Sequence, residues 1–166
     1  IIISASIGVA HLLIGLVAGF HERVRRNKIA EAIDEQGCSN TDYKARDRAA
    51  LVALYNATNG NAWTDNTAWL TDEDHCAWSG LTCNESGLVT RLSLVGNKLN
   101  GNIPGELGNL ASLQILELFD NELSGNIPSE LGNLTNLTTL WLSSNQLSGS
   151  IPAELANLAN LTRLLL

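Results

Sequence analysis

The stretch Leu92–Leu110, "LSLVGNKLNGNIPGELGNL", places an asparagine and a proline where a simple helix or strand would not favour them. Nearly the same phrase returns at 116–134 as "LELFDNELSGNIPSELGNL" and at 140–158 as "LWLSSNQLSGSIPAELANL". Three residue types keep the same 24-residue period: Asn97, Asn121 and Asn145; Gly101, Gly125 and Gly149; Pro104, Pro128 and Pro152. The chain is therefore built from internal repeats.

A fixed period of this size around an L-x-L-x-x-N core is typical of a leucine-rich repeat solenoid, in which stacked units share one core. We therefore predict an α/β fold. It is a right-handed solenoid with short parallel strands on its concave face and a 3-10 or irregular convex face. A helical N-terminal cap and an apolar helix precede the repeats. Because the chain starts at Ile1 and a further repeat begins at Leu161, we expect a fragment cut at both ends.

The repeated positions are explained by structure alone. In L-x-L both leucines face the core, with strands expected near Leu92–Leu94, Leu116–Leu118 and Leu140–Leu142. The asparagines at 97, 121 and 145 are predicted to form a hydrogen-bonded ladder between coils, because unpaired buried backbone groups cost about 1–3 kcal/mol each. Glycine permits conformations closed to other residues, and proline suits the convex side, where no ladder N–H is needed. The consensus therefore carries no information about a ligand.

A ligand is expected to contact the positions that differ between repeats, which face outward from the strands. These are Arg91, Ser93, Val95, Ile115, Glu117, Phe119, Thr139, Trp141, Ser143, Arg163 and Leu165. Neighbouring strands lie about 4.8 Å apart, so Phe119 and Trp141 are expected on adjacent strands, one pleat step apart. The two aromatic residues either belong to an unremarkable surface or anchor a partner on a rigid concave sheet.

Residues 1–20, "IIISASIGVAHLLIGLVAGF", form an apolar run just long enough to cross a bilayer core of about 30 Å. The run is longer than the usual signal-peptide core of about 7–15 residues, which favours a membrane helix over a signal peptide. Residues 21–46 are interpreted as a partly helical juxtamembrane linker. Its basic cluster, Arg23 to Lys28, favours a cytoplasmic position for the linker. A disulfide between Cys76 and Cys83 would instead favour repeats outside the cell.

Residues 47–87 are predicted to cap the solenoid. "DRAALVALYNATNG" has helical apolar spacing and ends at Asn59-Gly60. Trp63, Trp69 and Trp78 follow. We expect these bulky rings to cover the exposed end of the solenoid rather than to form a platform on which a carbohydrate stacks. Residues 88–166 hold the repeats, the last of them truncated.

Cys76 and Cys83 bound the segment "CAWSGLTC", whose short loop suits a disulfide worth about 2–3 kcal/mol. A metal site that adds His75 is the alternative, but no second ligand pair follows. We therefore expect no metal. The partner of Cys38 is left open. Asp72–Asp74 lacks the spaced oxygen ligands of a calcium loop and is expected to be a solvated loop.

The net charge of −7, with no basic stripe along the repeats, argues against nucleic-acid binding. No cofactor site is predicted, and no nucleophile is placed beside His75 for catalysis. Five N-x-[ST] motifs offer N-glycosylation sites, although the repeat consensus itself generates some of them. They are Asn56, Asn84, Asn133, Asn136 and Asn160.

"ALVALYNATNGNAW", "CAWSGLTC" and the N-x-L-x-G-x-I-P-x-x-L-G-x-L repeats together resemble the plant-type leucine-rich repeat proteins with an N-terminal cysteine cap. The resemblance covers Asp47 to Leu166. That family includes receptor-like kinases, receptor-like proteins and polygalacturonase-inhibiting proteins, and an anchor ahead of the repeats is similar to membrane-anchored diatom proteins.

The resemblance implies a non-catalytic, membrane-anchored recognition module whose concave face binds a protein, peptide or glycan outside the cell. An enzyme inhibitor or a structural adhesin is the alternative. A kinase domain beyond Leu166 would identify a receptor.

Overall fold

The computed structural model describes residues 37–166. The chain divides into two compact units after Asn40, and the fold described below is that of the second unit, Thr41–Leu166. The predicted membrane segment 1–20 and most of the predicted linker 21–46 lie outside the described residues. Among residues 37–166, no helix combines the length and apolarity needed to cross a membrane.

The cap begins with helix α1, Asn40–Ala57. The helix starts earlier than the predicted cap, so the expected boundary between residues 46 and 47 falls inside it. Ala50, Leu51 and Leu54 are buried, as their helical spacing predicts. Beyond the helix, Asn59 adopts a left-handed conformation (φ 56°), which asparagine tolerates better than most residues.

The concave face is a five-stranded sheet. Its strands, in spatial order, are β1 Leu81–Cys83, β2 Val89–Ser93, β4 Ile115–Glu117, β6 Thr139–Trp141 and β8 Arg163–Leu165. Only the β1–β2 pair is antiparallel, and the other neighbours are parallel. The first leucine of each L-x-L lies within its strand, and the second follows the strand end, where its N–H continues the ladder.

A second sheet lies along the coils where the sequence predicted 3-10 or irregular structure. Its parallel strands are β3 Asn100–Asn102, β5 Glu122–Asn126 and β7 Gln146–Ser148. The expected 3-10 helices are present too, at Gly105–Asn109, Ser129–Asn133 and Ala153–Asn157. Each follows the proline of its repeat. The convex side is therefore more regular than predicted.

The predicted asparagine ladder joins the coils. The Asn121 side-chain oxygen accepts hydrogen bonds from the backbone N–H of Asn97 (2.9 Å) and Leu99 (3.0 Å). Its amide nitrogen donates to the carbonyl of Leu94 at 2.8 Å. One coil later, Asn145 likewise accepts from the Leu123 N–H and donates to the Leu118 carbonyl. Asn97 bonds to the backbone of Asp65 in the cap instead. The ladder thus connects the cap with the repeats.

Close packing between cap and first coil requires the glycine at 101. A Cβ there would lie 2.0 Å from the carbonyl oxygen of Ala57, and the backbone φ of 135° also disfavours other residues. Asn100 N–H donates to the carbonyl of Thr58 at 3.1 Å beside it. The helix end therefore covers the edge of β3.

An aromatic cluster forms the centre of the cap, as predicted. Trp63, Trp69 and Trp78 are buried, and successive ring centroids lie 4.8 and 4.9 Å apart. Asp47 on α1 accepts a hydrogen bond from the N–H of Val89 at 2.8 Å, which links the helix to β2. The core leucines of the repeats continue from this cluster. Ile151, in the last proline-containing coil of the described residues, is 62% exposed.

Candidate ligand-binding face

The strand register arranges the outward residues of the concave sheet in rows. Residues paired across the strands form one row, Arg91, Ile115, Thr139 and Arg163, and a second row, Ser93, Glu117, Trp141 and Leu165. Val95, Phe119 and Ser143 follow the strand ends at equivalent repeat positions. The structure therefore brings the predicted outward residues onto one face. Their role in binding stays a prediction.

Arg91 and Glu117 form an ion pair across β2 and β4, with 2.7 Å between Nη2 and Oε2. The arginine side chain is partly exposed, whereas Glu117 is only 8% exposed. Glu117 was predicted to face outward from its strand, and its side chain is nevertheless largely covered by its neighbours. An ion pair with one buried partner is less screened by solvent than a surface pair.

Phe119 and Trp141 contact each other edge to face on neighbouring coils, with ring centroids 5.8 Å apart and an interplanar angle of 68°. Both side chains are half-buried. The predicted adjacency is therefore confirmed, but the rings are less exposed than a freely projecting pair. Val95 (39% exposed) and Leu165 (50% exposed) extend the apolar surface on either side.

Two polar atoms in this region are buried without a hydrogen-bond partner in the described part of the chain. They are the Thr139 hydroxyl oxygen and the Trp141 indole nitrogen. Thr139 is 2% exposed although it occupies an outward strand position. Sequence reasoning missed this feature, because alternation along a strand predicts direction but not how neighbouring side chains cover a residue.

In the cap, Cys76 and Cys83 form the predicted disulfide, with Cα atoms 5.7 Å apart. The ligand atoms of His75, Cys76 and Cys83 lie within 4.8 Å of one another, but both sulfurs belong to the disulfide. Burial lowers the pKa of His75, while the Asp74 carboxylate opposes that effect. Asp74 accepts a hydrogen bond from the Cys76 N–H, which lowers its own pKa. This cluster therefore has a structural explanation.

The five N-x-[ST] asparagines are all exposed but differ in their contacts. The amide nitrogens of Asn136 and Asn160 donate to the carbonyls of Ala111 and Thr135, both at 2.8 Å. The Asn84 side chain instead accepts hydrogen bonds from two backbone N–H groups of its own turn. Asn136 and Asn160 thus link their coils to the preceding ones, and this structural role explains both residues without glycosylation.

Comparison with known proteins defines the family. A family model described as the leucine rich repeat N-terminal domain matches residues 44–84, and one described as the Leucine Rich Repeat matches residues 88–110, 112–134 and 136–158. Together they cover about two thirds of the chain. The chain belongs to the leucine-rich repeat proteins. Its cap and its repeats are thus both typical of this family.

Curated relatives of the chain include leucine-rich repeat proteins from plants. "Leucine-rich repeat protein 1" of Arabidopsis thaliana is 42% identical over 83 residues, which cover 42% of this chain and 38% of that protein. Other curated relatives include receptor kinases, which match only in the repeat region. Each match thus covers well under two thirds of the relative's length. The match does not assign the activity of the whole relative to this chain.

Solved structures share the leucine-rich repeat fold. A plant ice-binding protein superposes with a TM-score of 0.67 and 34% identity over 74% of this chain and 40% of that one. The ectodomain of the plant membrane receptor kinase GASSHO1/SCHENGEN3 from Arabidopsis thaliana, in complex with CASPARIAN STRIP INTEGRITY FACTOR 2, gives a TM-score of 0.50 and 32% identity. That match covers 70% of this chain and 17% of that chain.

Proposed function

We propose that the repeats form a non-catalytic recognition module that binds a protein, peptide or glycan on the concave sheet, as part of a receptor-like protein at the cell surface. The observation that carries the proposal is the contact of Phe119 with Trp141. These rings occupy positions that the repeat does not need for its fold, and they lie beside the Arg91–Glu117 pair. Aromatic residues on a rigid surface are efficient anchors for a partner.

Sequence variation among the repeats supports a separation between structural positions and binding positions. Inward positions keep leucine in every coil, whereas the outward row contains serine, glutamate, tryptophan and leucine in turn. The receptor-kinase ectodomain that resembles this chain was solved in complex with a factor, which supports a protein or peptide partner. An enzyme inhibitor or adhesin would use the same face, and the coding sequence beyond Leu166 distinguishes them: a kinase domain identifies a receptor.

The proposed location is outside the cell, with residues 1–20 as the membrane anchor. The Cys76–Cys83 disulfide supports this location, because such bonds persist in oxidising compartments. The receptor-kinase ectodomains among the similar proteins support it as well. Surface biotinylation of cells that express the full chain tests the orientation. Labelling of the lysines in the repeats and cap of intact cells is expected, and labelling only after lysis contradicts it.

Site-specific photo-crosslinking tests the binding face. A photoreactive phenylalanine derivative replaces Phe119 on the concave face or Gln146 on the second sheet, in the full chain at the surface of the cells that make it. We expect a discrete crosslinked product from position 119 alone, and its loss when Trp141→Ala is added. Equal products from both positions would contradict a concave binding face.

We also propose a second candidate function, which one observation favours. On the sheet β3-β5-β7 the exposed Asn102 and Gln146 are aligned across the strands with the half-buried Ser124, and the exposed Asn126 is aligned with Ser148. Strands about 4.8 Å apart repeat polar groups regularly over a rigid surface. The fold similarity to a plant ice-binding protein gives a reason to test this surface against ice.

Inhibition of ice recrystallisation decides this second candidate. If the sheet binds ice, the full chain inhibits crystal growth, and Ser124→Tyr abolishes the inhibition because the ring disrupts the flat array. The matched substitution Ser93→Tyr on the concave face should leave the inhibition unchanged. No inhibition by the unmodified chain excludes this function.

A further inference from the structure

The cap brings three possible metal-ligand atoms together. The sulfurs of Cys76 and Cys83 and an imidazole nitrogen of His75 lie within 4.8 Å of one another. In the oxidised cap both sulfurs belong to the disulfide, so neither is a thiolate. Reduction turns them into two thiols, and the thiolate that forms from a thiol is the cysteine species that binds metals. The disulfide therefore accounts for this cluster in one redox state only.

His75 has a nitrogen with unused binding capacity. Its side chain is buried, and Nε2 has no hydrogen-bond partner among residues 37–166. Its other nitrogen, Nδ1, lies 3.7 Å from the Oδ1 atom of Asp74. A histidine that binds a metal commonly has a carboxylate beside its second nitrogen, which orients the ring. Because a buried polar atom without a partner is costly, this arrangement indicates a ligand for Nε2 that the oxidised cap does not supply.

Contacts other than the disulfide hold the ligand positions in place. The short 3-10 helix that contains the first two ligands begins at Asp74, whose carboxylate accepts a hydrogen bond from the Cys76 N–H at 3.0 Å. The loop before this helix is bound by Arg48, which donates to the carbonyls of Thr71 (2.7 Å) and Glu73 (3.3 Å). The last ligand lies on β1, which pairs with β2. All these contacts remain when the disulfide is reduced.

Charge and ligand number both suit a zinc ion. Two thiolates and a neutral imidazole neutralise a divalent cation, and a largely buried site without net charge avoids the cost of burying an unpaired ion. Zn²⁺ with three protein ligands keeps its fourth position for water, so no second ligand pair is required. The end of the Lys44 side chain lies beside Gly87, whose carbonyl oxygen is 3.5 Å from the Cys76 sulfur. A neighbouring ammonium group favours the thiolate form of cysteine.

We propose that reduction converts the cap into a zinc site, with the sulfurs of Cys76 and Cys83 and Nε2 of His75 as its protein ligands. A dithiol donates two electrons and two protons to the disulfide and becomes a disulfide itself, and zinc then displaces the two thiol protons. A peroxide or a disulfide that accepts two electrons from the thiolates re-forms the Cys76–Cys83 bond and releases the metal. The bond and the metal therefore exclude each other. This inference is independent of the concave face.

Equilibrium zinc binding to the purified full chain in a non-ionic detergent tests this proposal. The reductant is a phosphine, because a dithiol would itself chelate zinc, and a chromophoric chelator competes for the metal. Cd²⁺ is the second probe, because its thiolate complexes absorb in the ultraviolet. The oxidised chain and the double variant Cys76→Ser with Cys83→Ser lack the thiolates. Cys38→Ser is the matched control, since it removes the third cysteine of the sequence and leaves the site.

A pair of aspartate variants tests the carboxylate beside His75. Asp74→Asn keeps a residue that caps the short helix but removes the charge next to Nδ1. Asp72→Asn removes the same charge from the same loop, away from the imidazole. We expect Asp74→Asn to weaken zinc binding about tenfold or more, the usual effect of losing a partner of a metal ligand, and Asp72→Asn to change it little.

We expect the reduced chain and reduced Cys38→Ser to bind one zinc ion more than the oxidised chain and to show the cadmium–thiolate absorption. The double variant should show neither. His75→Gln should weaken zinc more than Asp74→Asn does. Zinc should also raise the thermal unfolding midpoint of the reduced chain but not of the double variant, because the site exists only in the folded cap. Equal zinc binding by the oxidised and reduced chains would overturn the inference. Unchanged affinity of His75→Gln would overturn it too, because the thiols alone would then chelate the metal.

Discussion

Asn121 joins its own coil to the preceding one, donating from its side-chain amide to the Leu94 carbonyl at 2.8 Å. The same side chain accepts two backbone N–H groups from that coil, so its removal leaves several buried groups unpaired. This contact explains why an asparagine recurs in each repeat. It also separates residues that build the solenoid from those available for a partner.

Removing the Asn121 side chain should therefore destabilise the protein strongly. Asn121→Ala is expected to lower the free energy of unfolding by about 3 kcal/mol or more, because each unpaired buried group costs about 1–3 kcal/mol. Asn157→Ala, at an exposed position of a 3-10 helix, serves as the control and should change it by about 0.5 kcal/mol or less. Urea denaturation measures both. Equal effects would show that the ladder is not a major source of stability.

The residue before each ladder asparagine has a left-handed backbone: Gly96 at φ 61°, Asp120 at 58° and Ser144 at 55°. Serine is strained there, so Ser144→Gly should stabilise the fold by about 1 kcal/mol, and Gly96→Ala should destabilise it by about 1–2 kcal/mol. Ser150→Gly, which lies outside the left-handed positions, should be neutral or destabilising. Thermal unfolding of the three variants is the measurement. Similar shifts for Ser144→Gly and Ser150→Gly would exclude backbone strain.

Protonation of Asp47 should make the cap more stable in acid. Burial raises the pKa of Asp47 to about 6, against the hydrogen bond from Val89, which lowers it. Since its folded pKa lies above the unfolded value of 3.8, the native state binds the proton more tightly. The contribution to stability grows as pH falls through about 6, up to about 3 kcal/mol below the unfolded pKa.

His75 acts in the opposite direction, because burial lowers its pKa below 6.5 and acid then favours the unfolded state. Comparison of the wild type with Asp47→Asn cancels this effect. The stability difference in favour of the wild type should increase by about 2–3 kcal/mol between pH 8 and pH 4. Denaturation curves over that range provide the data, and parallel profiles for the two proteins would contradict the assignment.

Loss of the cap disulfide should weaken the fold. Cys76→Ser with Cys83→Ser is expected to cost about 2–3 kcal/mol, the loop-closure contribution of so short a loop. The same loss should follow treatment of the wild type with a dithiol reductant, and the double variant should not respond to that reductant. A reductant effect that persists in the double variant would point to an intermolecular disulfide through Cys38, the one cysteine left in that variant.

Much of the fold follows directly from the sequence, because a constant period fixes which residues stack on one another. The inward leucines, the ladder at Asn121 and the adjacency of Phe119 and Trp141 all depend only on that period. The Cys76–Cys83 bond depends only on local spacing.

The remaining features depend on contacts between distant residues that no period encodes. Glu117 is buried, and its carboxylate accepts a hydrogen bond from Arg91, 26 residues earlier. Asp47 is linked to Val89 across 42 residues. The second sheet was missed because the polar N-x-L-x-G segment is typical of a turn, and it becomes a strand only when the next coil supplies hydrogen-bond partners.

The most direct test of the account compares the affinities of the unmodified chain, Trp141→Ala and Gln146→Ala for the partner captured by crosslinking at position 119, by isothermal titration calorimetry. Trp141 lies on the concave face and contacts Phe119, whereas Gln146 is exposed on the second sheet. Because Trp141 is half-buried, its truncation should also cost about 1–2 kcal/mol of stability. A denaturation curve of Trp141→Ala is the control that shows this variant to be folded. We predict at least about tenfold weaker binding for Trp141→Ala and no change for Gln146→Ala. Unchanged affinity of folded Trp141→Ala would contradict the central claim that this chain recognises its partner through the concave face.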